Sequence, residues 1–188
     1  MSLKMEGWAN WQKRLEFGIF VIWPPDEIRM EINKLREEYD PVSQSYCEAH
    51  ITLSTPLKKE LNSADWSQLA DICRRVEPFE IKYGPPKVFE LKPVVYLAVF
   101  PESELKELYV TFLDICLFCD EPPPPFDFVP HMTISEFGVK TDEEAKKLKN
   151  RLEKISISGC FICDSVAFIK PDENFHFSIH KTLPLMTP

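Results

Sequence analysis

Two tetrapeptides decide how this sequence is interpreted: His50-Ile51-Thr52-Leu53 and His131-Met132-Thr133-Ile134. On a β-strand, alternate side chains point to the same face. Each tetrapeptide therefore places its histidine and threonine on one face and its two apolar residues on the other. We expect the polar face to continue to Ser54 in the first motif and to Ser135 in the second. The chain thus contains, twice, an imidazole and a hydroxyl on a strand whose opposite face is buried.

The sequence around each motif follows the same order of predicted elements, which indicates an internal repeat. An apolar run, 17–23 or 94–100, ends in proline and acidic residues that favour the start of a helix. That helix leads to the histidine strand, which precedes a second helix, 63–76 or 141–154, and another strand, 79–83 or 160–169. Ser63 is the expected N-cap of helix 63–76, and Thr141 and Glu144 predict a capping box in helix 141–154. A closing strand is predicted at 175–182.

This duplication predicts an α+β fold in which two antiparallel-rich β-sheets form a central cleft and the helices lie outside. We expect one domain, residues 1–188, made of two pseudo-symmetric lobes at about 15–90 and 91–183. Equivalent lobes commonly pack about a pseudo-twofold axis, an arrangement that would bring both histidines to one cleft. Tyr39–Tyr46 and Glu121–Pro125 are predicted to be linkers, although the proline run would also suit a proline-binding partner.

Composition and charge limit the classes of partner. Apolar residues make up 44% of the chain and charged residues 28%, as in ordinary globular proteins. The net charge is −8 and the sequence pI is about 5.1, which argues against binding to long duplex nucleic acid. No apolar run approaches the roughly 20 residues of a membrane span, and no signal-peptide core is evident. We therefore expect a cytoplasmic monomer without a membrane partner.

Six cysteines include two Cys-x-x-Cys pairs, Cys116/Cys119 and Cys160/Cys163. Zinc sites use such pairs on loops, whereas here the first pair lies in a predicted helical stretch and the second in a strand-like run. Residues three apart on a strand point to opposite faces, so core packing is favoured over metal binding. We expect no metal and no cofactor; a zinc-dependent hydrolase is the alternative.

The residue types of the two motifs suit phosphodiester chemistry. An imidazole titrates near neutrality, so one ring can accept a proton from the attacking oxygen while the other donates one to the leaving oxygen. Threonine hydroxyls can donate hydrogen bonds to nonbridging phosphate oxygens, on which negative charge accumulates. The other two histidines, His176 and His180, lie on the polar face of the closing strand and are expected at the surface.

The paired motifs, their spacing and the duplicated strand–helix order resemble the 2H phosphoesterase superfamily. Its members include RNA 2′,3′-cyclic phosphodiesterases and enzymes first described as 2′-5′ RNA ligases. The resemblance extends from about Phe17 to Leu183 and implies the two-lobed fold of that superfamily. It also implies that His50 and His131 are catalytic and that Thr52 and Thr133 bind phosphate.

The resemblance implies metal-independent opening of a 2′,3′-cyclic phosphate, or of a related cyclic or 2′-5′ linkage, on a nucleotide or an RNA end. Pseudo-symmetry leaves the two histidine roles open, with His131 favoured as base and His50 as acid. Nucleobases stack on aromatic side chains, and we expect Phe89, Tyr96 and Phe137 to contact the substrate together with the motif hydroxyls. A non-catalytic nucleotide- or RNA-binding module on the same fold is the alternative.

Overall fold

The computed structural model describes residues 6–119 and 128–186. Within those ranges the chain forms helices and β-strands in the following order: α1 (Asn10–Lys13), β1 (Ile19–Ile22), α2 (Asp26–Tyr39), α3 (Pro41–Tyr46), β2 (Ile51–Thr52), α4 (Ser63–Cys73), β3 (Phe79–Val88), β4 (Val95–Phe100), α5 (Glu102–Leu113), β5 (His131–Ser135), α6 (Asp142–Lys154), β6 (Gly159–Cys163), β7 (Ser165–Pro171) and β8 (Phe177–Pro184).

The strands form two antiparallel sheets of four strands each. The first sheet has the order β2-β1-β7-β8 and the second has the order β5-β4-β3-β6. In each sheet a histidine strand is at one edge, paired with the first strand of its own sequence half. The predicted α+β class with two antiparallel sheets is confirmed.

The two sheets do not divide the chain at residue 90. Strand β3 belongs to the first half of the sequence but pairs with β4 and β6 in the second sheet, and β7 and β8 return to the first sheet. The predicted lobe boundaries, 15–90 and 91–183, therefore do not match the sheets. The single strand predicted from Cys160 to Ile169 is also wrong, because β6 and β7 end and begin on either side of Asp164 and lie in different sheets.

One large apolar core packs the sheets against helices α4, α5 and α6. Strand β1 is buried on both faces: Phe20 and Ile22 belong to the large core, whereas Ile19 and Val21 belong to a smaller cluster on the opposite face of the first sheet. The predicted inward residues of both motifs are fully buried: Ile51, Leu53, Met132 and Ile134. Helices α4, α5 and α6 therefore cover one face of the sheets and leave the other for the histidines.

Helix starts follow capping chemistry. The predicted capping box of α6 is present, with the Thr141 side chain accepting from Glu144 N. The N-cap of α4 is Asn62 rather than Ser63, since the Asn62 amide oxygen accepts from the first-turn backbone. Helix α5 ends at Leu113, so the prediction that Cys116 and Cys119 lie in a helical stretch is wrong.

The first predicted linker, Tyr39–Tyr46, contains a short helix. Asp40 is the N-cap of α3, and its carboxylate accepts from Ser43 N at 3.0 Å, while Pro41 occupies the first turn. An aspartate followed by a proline is typical of a helix start, so the sequence could have predicted this helix. The second predicted linker, Glu121–Pro125, lies outside the described residues.

Across residues 6–119 and 128–186, no helix combines the length and the apolar character that crossing a bilayer requires.

Candidate active site

Both motifs open onto one cavity of about 470 Å³ on the face opposite the large core. His50 and Thr52 line it from the first sheet, and His131 and Thr133 line it from the second. Strands β2 and β5 are neighbours in space although they belong to different sheets. The interleaved topology thus brings the two predicted pairs together, and the volume suits a small ligand.

The two histidines are held in the same way. His50 Nδ1 lies 2.7 Å from the carbonyl oxygen of Glu48, and His131 Nδ1 lies 2.7 Å from that of Val129. A carbonyl can only accept, so each Nδ1 carries the proton and donates it to the backbone two residues earlier. This fixes the tautomer and leaves Nε2 as the nitrogen that each ring offers to a ligand.

Burial favours the neutral form of both rings. The pKa of His50 is lowered to about 4, mainly by desolvation and also by the positive charge of Arg36 and the nearby His131, against the opposing effect of the hydrogen bond to Glu48. Desolvation also lowers the pKa of His131, opposed by the hydrogen bond to Val129. Two neutral imidazoles line the cavity at neutral pH, and a bound anion would favour protonation of either.

A stack of side chains braces His50 from the side of α2. The Trp23 ring lies parallel to the imidazole, at 10° and 6.4 Å between centroids, and the Arg29 guanidinium lies 5.3 Å from the centre of the same indole. Arg29 also donates to Glu48 at 2.5 Å. Asn33 donates to the same carboxylate at 2.9 Å and accepts from Ala49 N. These bonds fix the backbone that holds the imidazole.

His131 is braced by two of the three predicted aromatic residues. Phe89 and Tyr96 stack on each other at 4.2 Å, and both meet the imidazole edge-on, at 5.0 and 5.5 Å. Phe137 lines the cavity itself. The contact of all three with substrate stays a prediction, but Phe89 and Tyr96 already position the ring.

The predicted continuation of the polar faces to Ser54 and Ser135 is wrong. Both serines are buried: the Ser54 hydroxyl accepts from Phe20 N at 2.9 Å, and the Ser135 hydroxyl lies 3.5 Å from Tyr39 O. Strand β2 ends at Thr52, so the alternation stops before Ser54. A bulge in the β4–β5 pairing interrupts it before Ser135. Both hydroxyls stabilise the strands behind the cavity.

Arg36 is a site residue that the sequence analysis missed. The residue lines the cavity but is only 3% exposed. It donates to Thr133 O at 2.7 Å, to Cys47 O at 2.8 Å and to Ser43 O at 3.1 Å. One side chain therefore ties the second motif to the segment just before the first. Arg36 follows the fully buried Ile32 by four positions and so lies on the same face of α2, and this spacing could have predicted that its side chain is buried.

Asp40 makes the second tie between the halves. Its fully buried carboxylate accepts from the backbone of Glu136 at 2.7 Å and of Phe137 at 2.8 Å, just after the second motif. The next residue is Gly138, where a Cβ would lie 1.8 Å from Tyr39 O. Only glycine allows the end of α2 to approach the chain this closely.

Glu136 places a carboxylate on the cavity wall. Desolvation and the neighbouring Asp40 raise its pKa, while Lys92 and Arg36 lower it. A negative charge here opposes the binding of a dianion more strongly than the binding of a monoanion.

Metal-ligand residues are not grouped in the part of the chain that the structure describes: no three His, Cys, Asp or Glu side chains come together there. On β6, Cys160 is exposed and Cys163 is buried, as expected for residues on opposite faces. His176 and His180 are exposed, as predicted.

Comparisons with known proteins agree with this architecture. The sequence model of the 2′-5′ RNA ligase superfamily matches residues 24–175. No curated protein sequence matches the chain. Among solved structures, E. coli LigT complexed with 3′-AMP is 18% identical, with a TM-score of 0.58 over 92% of this chain and 99% of that chain. LigT has also been crystallised with NADP+, at 16% identity and a TM-score of 0.58 over 92% and 98% of the two chains.

A crystal structure described as a phosphoesterase is 17% identical, with a TM-score of 0.56 over 90% of this chain and 98% of that chain. At such identities these structural matches establish a common fold. The family match, in contrast, covers most of the sequence, including both histidine motifs.

Proposed function

Because the chain belongs to the 2′-5′ RNA ligase superfamily, we propose that it is a phosphodiesterase that opens a 2′,3′-cyclic phosphate, or a related cyclic or 2′-5′ linkage, on a nucleotide or an RNA end. One observation carries the proposal. Two imidazoles from different sheets line one cavity, and each has its Nδ1–H bound to a backbone carbonyl, which leaves Nε2 for the ligand. LigT, which shares the fold, was crystallised with 3′-AMP and with phosphate, ligands of the class this cavity would take.

In the proposed reaction a water oxygen attacks phosphorus, and the bond from phosphorus to one ribose oxygen breaks. One Nε2 takes the proton of the water, and the Nε2–H of the other histidine protonates the departing ribose oxygen. The hydroxyls of Thr52 and Thr133 donate to the nonbridging oxygens. These groups complete the step without a metal ion.

The electrostatics favour His50 as base and His131 as acid, the reverse of the assignment favoured from sequence. The Arg36 charge lowers the pKa of His50 in addition to the effect of burial, whereas burial alone lowers that of His131. When one proton is shared between the rings, it therefore resides preferentially on His131. The acid must hold that proton before the ribose oxygen leaves.

Turnover with and without each histidine tests the activity. We expect the wild-type protein to convert a 2′,3′-cyclic nucleotide to monophosphate in the presence of excess chelator. His50→Ala and His131→Ala should each lose at least roughly 10²-fold in kcat. His180→Ala is the matched control, since this histidine is exposed on β8. Turnover that neither substitution affects would contradict the proposal, and tight nucleotide binding without turnover would favour a binding module.

A second substrate assigns the two roles. Thymidine 5′-(4-nitrophenyl phosphate) releases a phenolate that needs no proton, so loss of the acid should matter much less. For His131→Ala, we expect the fold-decrease in kcat on this ester to be at least about ten times smaller than on a cyclic nucleotide. For His50→Ala, we expect the same fold-decrease on both substrates. The opposite pattern would assign His50 as the acid.

A further inference from the structure

The N-terminal segment, residues 6–18, adds a wall to the cavity that the family match does not include. The match begins at residue 24, yet Trp11 and Leu15 line the same cavity as the two histidines. Trp11 is 45% exposed, an unusually large open area for an indole within a cluster of rings. This segment therefore presents an aromatic surface beside the proposed reaction centre.

The segment is anchored at both ends. Trp8 is buried, donates from Nε1 to Glu173 O at 3.1 Å and meets the Phe175 ring edge-on at 5.0 Å. At the other end, Gly18 has a φ of +89°, and a Cβ there would lie 2.4 Å from Ile169 O. Only glycine allows this turn, which directs the segment back along the first sheet.

Four rings form the wall, which we call the aromatic wall. Trp11 lies 5.2 Å from Phe175, 6.0 Å from Phe137 and 6.2 Å from Tyr46. Tyr46 in turn lies 5.3 Å from Phe175. The rings come from four separate segments of the chain, and all four line the cavity.

The backbone of Phe175 is strained to place its ring in this wall. Its φ is +64°, in the left-handed region that bulky side chains rarely adopt. The Asp172 carboxylate holds the turn by accepting from the backbone of Asn174 and of His176, both at 2.9 Å. Such strain is concentrated at functional sites.

We propose that Trp11 is a specificity-determining residue whose open face stacks on the nucleobase of the substrate when the phosphate lies between the two histidines. This inference rests on the proposed function and assigns base recognition to Trp11, a residue outside the family match. Base–aromatic stacking tolerates any base because every base has a π-face. The aromatic wall should therefore select nucleotides over phosphodiesters without a base, rather than one base over another.

Kinetics with and without a base test the inference. In Trp11→Leu, KM for 2′,3′-cyclic nucleotides should rise about 5- to 150-fold, the range of single-base stacking. The kcat/KM for glycerol 1,2-cyclic phosphate, which has no base, should change less than about twofold by the same reasoning. Trp11→Phe retains a ring and should recover most of the loss. Equal losses on both substrates, or no loss on either, would overturn the assignment.

A binding measurement separates this inference from the proposed function. If wild-type protein turns over no cyclic phosphate, the proposed function fails, and the wall is then tested by calorimetry with adenosine 3′-monophosphate and with inorganic phosphate. Weaker binding of the nucleotide alone in Trp11→Leu supports the stacking role. Equal weakening of both ligands, or of neither, refutes it. An unchanged melting temperature of Trp11→Leu verifies that the variant is folded.

Discussion

Replacing Arg36 by methionine should destabilise the protein and loosen the contact between the two histidine motifs. Methionine is unbranched and apolar, so it fills the channel of the side chain while removing every donor. Arg36 donates four hydrogen bonds, one to the Gln44 side chain and three to the backbone carbonyls of Ser43, Cys47 and Thr133. Asp40 also ties the halves, but it does so at Glu136 and Phe137, just after the second motif.

The expected magnitude follows from opposing contributions. Hydrogen bonds from a charged group are worth about 1.5–3 kcal/mol each, roughly 6–12 kcal/mol for four. The desolvation of the guanidinium, which lowers its pKa, costs several kcal/mol and is relieved in the variant. We expect the free energy of unfolding to fall by about 3–4 kcal/mol, a large share of the 5–15 kcal/mol typical of a domain.

Urea unfolding followed by tryptophan fluorescence measures this change, and calorimetry with inorganic phosphate measures the effect on the cavity. Arg74→Met is the matched control, because Arg74 is exposed and forms a surface ion pair with Asp71, so its loss should cost under about 1 kcal/mol. A free energy of unfolding for Arg36→Met within about 1 kcal/mol of wild type would refute the role assigned to the guanidinium.

Three further predictions concern pH, charge and packing. The folded pKa of His50 is about 4 and its unfolded pKa about 6.5, so its contribution to stability is present above pH 6.5 and is lost as the pH falls towards 4. This loss is up to about 3 kcal/mol and should be absent in His50→Gln when the free energy of unfolding in urea is compared at pH 7.5 and 4.5. An equal decrease between these two pH values in the wild type and the variant would count against it. Glu136→Gln should bind inorganic phosphate about fivefold more tightly by calorimetry, since roughly 1 kcal/mol of repulsion is removed, and unchanged affinity would contradict this. Gly138→Ala should lower stability by about 2–3 kcal/mol because its Cβ meets Tyr39 O, which a melting curve checks; a wild-type melting temperature would show that the chain can move aside.

The sequence predicted the residues whose position depends on local periodicity. His50, Thr52, His131 and Thr133 all reach the cavity because each lies within a regular strand or directly before it. The alternation fails at Ser135, where a bulge inserts a residue, and nothing in the tetrapeptide indicates a bulge.

Residues that depend on contacts between distant segments were missed. A charged residue on an amphipathic helix is normally solvated, so Arg36 gave no sign that its partners are backbone carbonyls from two other segments. Trp11 lies ahead of the repeat, and the repeat was the basis for predicting the site. The sheets do not follow the predicted lobe boundaries because strand pairing between the halves is non-local, and a short apolar run does not specify its partner.

The exchange of strands between the two sheets has a consequence for how this chain can be cut. A fragment ending near residue 90 would carry β3 without β4 or β6, and it would leave β1 with an unpaired edge where β7 belongs. The complementary fragment would be equally incomplete, and open strand edges favour aggregation. Neither fragment should fold on its own, so a split version of this protein should be functional only when both fragments are co-expressed and their strands can pair.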